Sequence, residues 1–277
     1  MASVLIIGAG WLGRPLAKQL SASHHQVHVT NSQLDTVKQS SAEGLHAHHL
    51  SLPLEAPHSL ADLLQQLNID TIIGCFTPGF RRTATPNWDS YAQNWQQICQ
   101  SAKQAKINKI IMISSTAVYP AIAKPMQESD ADFAQSIVDN QFSEKSRALL
   151  KAEQQVLDSG LDYAVIRCSG LIDQHRHPSR FATRLRSVSR HAPANMLHKD
   201  DAIGIIEFAL NKVTSRVLNA STPDTCDKAQ FYQAAIASRQ LDIALPEIVD
   251  TPDKRIDSTL SQKLGYQYRY QHTLDLL

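Results

Sequence analysis

The chain has 277 residues and a formal net charge of +1, with 27 Lys and Arg against 26 Asp and Glu and no block of a single sign. That balance argues against the basic footprint of a nucleic-acid or anionic-lipid binder, and no apolar run approaches the roughly 18 residues a membrane span needs. With 43% hydrophobic and 19% charged residues, the composition is that of an ordinary globule, long enough for one large α/β domain or two unequal ones. The expectation is a cytoplasmic protein with a small-molecule partner. Cys75, Cys99, Cys168 and Cys226 are far apart and match no zinc spacing, so reduced thiols and no metal are expected.

Residues 4–7 form a short apolar run that reads as a buried strand and is too brief for a signal-peptide core. The run passes into Gly8-Ala9-Gly10-Trp11-Leu12-Gly13, which opens a predicted helix at 11–21. A G-x-G-x-x-G between strand and helix is the fingerprint of a dinucleotide pyrophosphate site. Gly8 makes the tight turn, Gly10 admits the phosphates and Gly13 packs helix on strand, while the helix amides at Trp11 and Leu12 and the helix dipole face the anion. A second strand at 27–30 ends in Thr30-Asn31-Ser32. A carboxylate there would bind the adenosine ribose of NAD, and a basic group would accept the 2′-phosphate of NADP. With neither present, Asn31 and Ser32 are expected to contact the cofactor and NADP is favoured over NAD. Arg14 is a possible source of positive charge, and Asp35 keeps an NAD reading open.

Further along, residues 45–50 predict a third strand, with His46 and His48 on one face and no further ligand to complete a metal site. A helix at 59–67 carries a Ser59/Asp62 capping-box pattern, and a fourth strand at 71–75 leads into Phe76-Thr77-Pro78. A helix at 88–106, a strand at 110–114, a helix at 143–159 stopped by Gly160, and a strand at 163–168 complete the alternation. This pattern predicts an α/β fold, a Rossmann-type doubly wound parallel sheet with right-handed crossovers, over residues 1–170. Residues 171–277 read as a smaller C-terminal substrate-binding cap that adds a strand at 217–220, a helix at 202–210 and a helical tail to the core. The tail ends in Gly265-Tyr266-Gln267-Tyr268-Arg269-Tyr270.

After the fifth strand, Ser114-Ser115-Thr116-Ala117-Val118-Tyr119-Pro120 resembles an S-S-x-x-V-Y-G segment. Lys151-Ala152-Glu153-Gln154, Arg167-Cys168-Ser169-Gly170-Leu171, Asn195-Met196-Leu197-His198-Lys199-Asp200-Asp201 and residues 260–270 extend the likeness over essentially the whole chain. Together with the glycine loop these segments resemble the extended and atypical short-chain dehydrogenase/reductases, the NAD-dependent epimerase/dehydratase group. The resemblance implies an NAD(P)-dependent oxidoreductase or epimerase acting on a sugar or nucleotide sugar, beginning with hydride transfer. It implies Ser115 as the catalytic hydroxyl, Ser114 and the Phe76-Thr77-Pro78 segment as cofactor contacts, and His198 on the substrate side.

The family's Tyr-x-x-x-Lys pair is missing. Taking Glu153 as the family's glutamate, Lys145 falls at the tyrosine position and Leu149 at the lysine position. Lys145 becomes the candidate proton carrier, its amine desolvated beside the nicotinamide; the alternative is a charge on a solvated helix face. Arg180 and Arg184, four residues apart, would clamp a substrate phosphate or carboxylate from one helical face, or belong to an ordinary basic helix. For the His198 segment, a helix N-cap role for Asp200 is the competing reading. Two further functional readings stay open: a catalytically silent NAD(P)-binding sensor, and a scaffold with a vestigial glycine loop. The resemblance also implies a homodimer through the helices at 88–106 and 143–159.

Overall fold

Val4, Leu5, Ile6 and Ile7 are each at most 3% exposed, the signature of a strand covered on both faces. In the computed structural model, which describes residues 1–56, 58–80 and 85–277, they form β1 (Ser3–Ile7). The chain continues through α1 (Gly13–Ala22), β2 (Gln26–Asn31), α2 (Leu34–Ala42), β3 (His46–His49), α3 (Ser59–Gln66), β4 (Thr71–Gly74), α4 (Ser90–Gln104) and β5 (Lys109–Ser115). Next come β6 (Pro125–Met126), α5 (Phe133–Val138), α6 (Glu144–Leu157), β7 (Asp162–Cys168), β8 (Gly170–Ile172), α7 (Ser179–Ala182), β9 (Ser187–Ser189) and β10 (Met196–His198). The remainder is α8 (Lys199–Lys212), β11 (Arg216–Ala220), α9 (Lys228–Ser238), β12 (Glu247–Val249), β13 (Arg255–Ile256) and α10 (Thr259–Lys263).

The main sheet has seven strands in the order β11-β7-β5-β4-β1-β2-β3, and β2–β3, β1–β2, β1–β4 and β4–β5 all pair in parallel. The winding reverses between β1 and β4, the switch point at which doubly wound sheets receive ligands beyond the strand C-termini. The predicted α/β class therefore holds.

Two units divide the chain, each assembled from separated segments. The first comprises Met1–Ser114, Asp132–Ile166 and Ile206–Val217, and the second Ser115–Ala131, Arg167–Ile205 and Leu218–Leu277. In the first unit α1 buries Leu16, Ala17 and Leu20, and α4 buries Tyr91, Trp95 and Ile98, the one-sided pattern of helices on a sheet. The second unit is built on three two-stranded parallel pairs, β8–β10, β9–β12 and β6–β13. Ile172, Ala194, Phe231 and Leu276 form an apolar core there.

Several local expectations are corrected. Ser59 does not cap α3; it is the first helical residue, and its hydroxyl donates to the Ala56 carbonyl at 2.9 Å. The patterning at 34–42 supplies one buried side chain, Ser40, so α2 leaves little apolar signal to read. The tail beyond 220 contains β12 and β13 as well as helices. No helix among the described residues is long and apolar enough to cross a membrane.

Candidate cofactor-binding site

The site is assembled at the C-terminal ends of β1, β2 and β4 and of β5 up to Ser114, in the first unit. Gly8 has φ +97°, and a Cβ there would lie 3.1 Å from the Phe76 nitrogen, so the turn demands glycine twice over. At Gly13 a Cβ would lie 2.3 Å from the Gly8 carbonyl oxygen and 3.3 Å from Ile6 Cγ2, which is helix packed directly on turn. Gly10 differs, since a Cβ would meet nothing within 4 Å. The loop is closed by Gly10 N–H to Gly8 O at 2.8 Å and Arg14 N–H to Gly10 O at 3.1 Å. Helix α1 then begins without a side-chain cap at Leu12 and without an acidic residue in its first turn. An uncapped helix start, a positive dipole end and open space above Gly10 fit a pyrophosphate.

At the end of β2, Asn31 is buried and turned inward. Its amide donates to the Ala9 carbonyl at 3.2 Å, and its amide oxygen accepts from Ser40 Oγ at 3.1 Å. Asn31 thus ties the glycine loop to α2, and what it offers a ligand is position. Ser32 is exposed. Arg14 is engaged by Glu43 at 2.7 Å, a carboxylate it shares with Lys18 at 2.9 Å. The Asp35 side chain is 97% exposed, 3.6 Å from Lys38.

Phe76 brings the β4 end against the glycine loop through its backbone, while its ring stacks on Trp95 at 5.1 Å and meets Tyr91 edge-on at 5.4 Å. Thr77 is exposed and Pro78 half-buried beside it. Ser114, at the end of β5, donates its hydroxyl proton to Glu153 Oε1 at 2.5 Å. Glu153 is 2% exposed on α6. On the same helix, Ser143 is the N-cap, Lys145 lies in the first turn half-buried, and Leu149 is 3% exposed. A buried leucine therefore stands at the position that the resemblance assigns to a lysine.

The remaining sequence-derived candidates belong to the second unit. Ser115 Oγ accepts from Ala117 N–H at 3.2 Å, capping a short 3-10 turn. Tyr119 is buried, donates to Asn219 at 2.7 Å and accepts from Arg167 at 2.9 Å. Burial pushes its hydroxyl up to about 12, against the pull of Arg167, so it is a structural node and no proton carrier near neutrality. Arg180 lies in α7 with its guanidinium on the His175 carbonyl at 2.8 Å, whereas Arg184 falls beyond the helix end. The long arginine-bearing helix face expected there is replaced by a four-residue turn of helix. His198 is 9% exposed, its ring tilted against that of Tyr270 at 4.6 Å between centroids, and its Nδ1 accepts from Asp200 N–H at 3.1 Å. Burial lowers its pKa against the opposing carboxylates. The capping acceptor at this helix start is thus His198, and Asp200 instead reaches Arg269 at 3.1 Å.

Two features of the cofactor end escaped sequence reasoning. His49 Nε2 lies 3.2 Å from the Ser32 carbonyl, and Ser51 Oγ lies 3.5 Å from the same oxygen. Their only signal was the parallel pairing of Asn31 with His49, which requires the register to be known. Likewise His28, 20 residues before His48, shares a hydrogen bond with it, Nδ1 to Nε2 at 3.0 Å, and packs against His46 at 5.2 Å between centroids. Among the described residues no group of His, Cys, Asp or Glu is arranged to hold a metal.

A family model described as NAD(P)H-binding matches residues 8–199. The chain is 28% identical over 281 residues to Protein YeeZ of Escherichia coli strain K12, covering 99% of this chain and 98% of that protein. Among solved structures, it resembles the Bordetella bronchiseptica enzyme WbmG in complex with NAD and UDP, with a TM-score of 0.78, 16% identity and coverage of 99% and 93%. It also resembles dTDP-glucose 4,6-dehydratase of Bacillus anthracis in complex with NAD, with a TM-score of 0.75, 15% identity and coverage of 100% and 96%. At these identities the two structures establish the shared epimerase/dehydratase-like fold.

Proposed function

Because the chain belongs to the NAD(P)H-binding family, we propose that it is an NAD(P)-dependent oxidoreductase or epimerase whose substrate is a sugar, in particular a nucleotide sugar. The observation that carries this reading is the glycine loop: Gly10 opens onto free space above an uncapped α1, while Gly8 is held at positive φ and Gly13 is packed too closely on the Gly8 carbonyl for a side chain. When bound there, the nicotinamide supplies a hydride donor or acceptor. The chain's own residues do the rest. The α1 start holds the pyrophosphate, Asn31 braces the loop through Ala9, and the Phe76-Thr77-Pro78 segment and Ser114 line the nicotinamide end. Ser115 hydrogen-bonds the substrate hydroxyl and Lys145 carries the proton. The complexes of WbmG with NAD and UDP and of the dehydratase with NAD support the substrate class.

A second reading is a dinucleotide-binding sensor without turnover. It is favoured by Leu149, buried where the resemblance assigns a lysine, and by Tyr119, locked between Arg167 and Asn219. One experiment separates them: incubation with oxidised or reduced nucleotide and a panel of nucleotide sugars, following both the absorbance of the reduced nicotinamide and the conversion of the sugar by chromatography. Turnover that is lost in Lys145→Met supports the enzyme and its proton carrier. Saturable nucleotide binding with neither an absorbance change nor conversion of any sugar assigns the sensor.

A further inference from the structure

The second unit carries a concentration of arginine that the chemistry above leaves unused. Residues 174–199 hold five arginines and Lys199 and no Asp or Glu. No two of the arginines are adjacent, so the sequence shows no block and the fold gathers them. In α7, Ser179 and Ala182 are buried while Arg180 and Phe181 are exposed, followed on the surface by Arg184 and Arg186. Arg180 folds back to donate to the His175 carbonyl at 2.8 Å. From the end of α9, Arg239 reaches the Gln174 side-chain oxygen and brings a fourth guanidinium to the turn that Arg180 touches. The acceptors of Arg180 and Arg239 are neutral, and Arg184 and Arg186 meet no carboxylate within ion-pair distance among the described residues. Nearby carboxylates are engaged elsewhere: Asp250 holds Arg190 at 2.6 Å and lies 3.4 Å from His191, and Asp173 holds Lys199. Glu247, which β12 sets opposite Ser187 of β9, bridges to none of the four arginines.

Like charges held close together repel until an anion joins them. A guanidinium presents a planar fork of donors that fits phosphate oxygens in pairs, and each of these four cations is a guanidinium. Phe181, 38% exposed between Arg180 and Arg184 in sequence, offers an aromatic face to the same ligand. Arginines interleaved with an exposed ring suit a single strand, whose backbone follows the charge while a base stacks on the ring. A duplex keeps its bases stacked inside and leaves the ring without a partner. An acidic polypeptide matches the charge but lacks the regular alternation of anion and flat ring. We propose that this face of the second unit, built on Arg180, Arg184, Arg186 and Arg239 with Phe181, binds single-stranded nucleic acid. The dinucleotide site has no part in it, so the surface stands or falls independently of the cofactor reading.

The test is fluorescence anisotropy of a labelled oligouridylate of about 20 nucleotides, titrated with the full chain at several NaCl concentrations. Saturable binding is expected, with affinity falling as salt rises. Arg184→Glu/Arg186→Glu should weaken it roughly tenfold or more and flatten the logarithmic salt slope by about 1.4, since each lost single-strand contact removes about 0.7. Phe181→Ala should weaken it roughly fivefold or more with the slope unchanged. Lys38→Glu/Lys103→Glu, the same charge change on exposed lysines of the first unit, should bind as wild type does. Absence of binding at about 50 mM NaCl, equal loss in both charge reversals, or an affinity unchanged in Arg184→Glu/Arg186→Glu or in Phe181→Ala overturns the assignment. So does a duplex of the same length bound as tightly as the single strand. Displacement of the oligouridylate by polyglutamate as readily as by its unlabelled form also overturns it, and gives the face to an acidic protein.

Discussion

Two glycines of one loop should respond in opposite ways to the same methyl group. In Gly13→Ala the new Cβ would lie 2.3 Å from the Gly8 carbonyl oxygen and 3.2 Å from its carbon. These are backbone atoms, so the turn itself must shift, and overpacking of this kind costs about 1–3 kcal/mol. Alanine recovers less than about 1 kcal/mol of helix propensity, because the position is the first of α1. The net expectation is a loss of about 1–2 kcal/mol, or roughly 2–8 °C in a thermal midpoint for a chain of this size. In Gly10→Ala nothing lies within 4 Å of the new Cβ, so the fold is unaffected or slightly stabilised through the unfolded chain. The methyl instead fills the space into which a pyrophosphate would come, and nucleotide affinity should fall at least tenfold. Thermal unfolding and quenching of tryptophan emission by NADPH measure the two effects on the same samples, with Trp11 in the loop as reporter. The reasoning fails if Gly10→Ala binds nucleotide as wild type does, or if both variants lose stability and binding in proportion.

Acid should loosen the β2–β3 edge. The pKa of His28 is lowered by burial and then by His48 and His46, and that of His48 by burial and His46. The unfolded chain, with imidazoles near 6.5, therefore binds more protons than the folded one. Stability carries no penalty from this cluster above about pH 6.5, declines as pH falls through that value, and stops declining below the depressed folded values. His177 and His198, also lowered by burial, act with the same sign, so the cluster is isolated by His48→Gln. Its thermal midpoint should approach or exceed that of wild type as pH is lowered from 8 to 5, and parallel curves would remove the cluster as the cause. In the second unit, Asp201, 1% exposed, accepts from Tyr266 at 3.1 Å, Arg269 N–H at 2.7 Å and Tyr270 N–H at 3.2 Å. Asp201→Ala should cost about 3 kcal/mol or more and raise amide exchange at Arg269 and Tyr270 while β1 stays protected. Unchanged exchange at those two amides would mean that other contacts hold the tail.

Much of the first unit was legible because its signals are local. A doubly buried strand needs an unbroken apolar run, and residues 4–7 supply it; a turn that abuts a neighbouring backbone needs glycine, and Gly8 and Gly13 supply that. Helices α4 and α6 advertise themselves by apolar side chains at helical spacing, and Ser143 marks the start of α6. Elements with little apolar face were harder. Helix α2 buries only Ser40, β9 and β12 are three residues each, and their stability comes from partners far away in sequence.

By itself the sequence determined the strand, glycine loop and helix that make a dinucleotide site, and the absence of a Tyr-x-x-x-Lys pair, since both are matters of residue type at short spacing. What lies across from each strand was decided only in three dimensions. Asn31 is a polar residue at a strand end in either account; only the fold turns its amide onto Ala9 and Ser40 and sets His49 beside Ser32. His28 joins His46 and His48, and Arg167 joins Tyr119 and Asn219, across separations no local pattern encodes. The physical reason is register: side chains alternate faces along a strand, so a shift of one residue reverses which of them meet. Register is chosen by the burial of the whole sheet, and the composition of any one of its strands does not contain it.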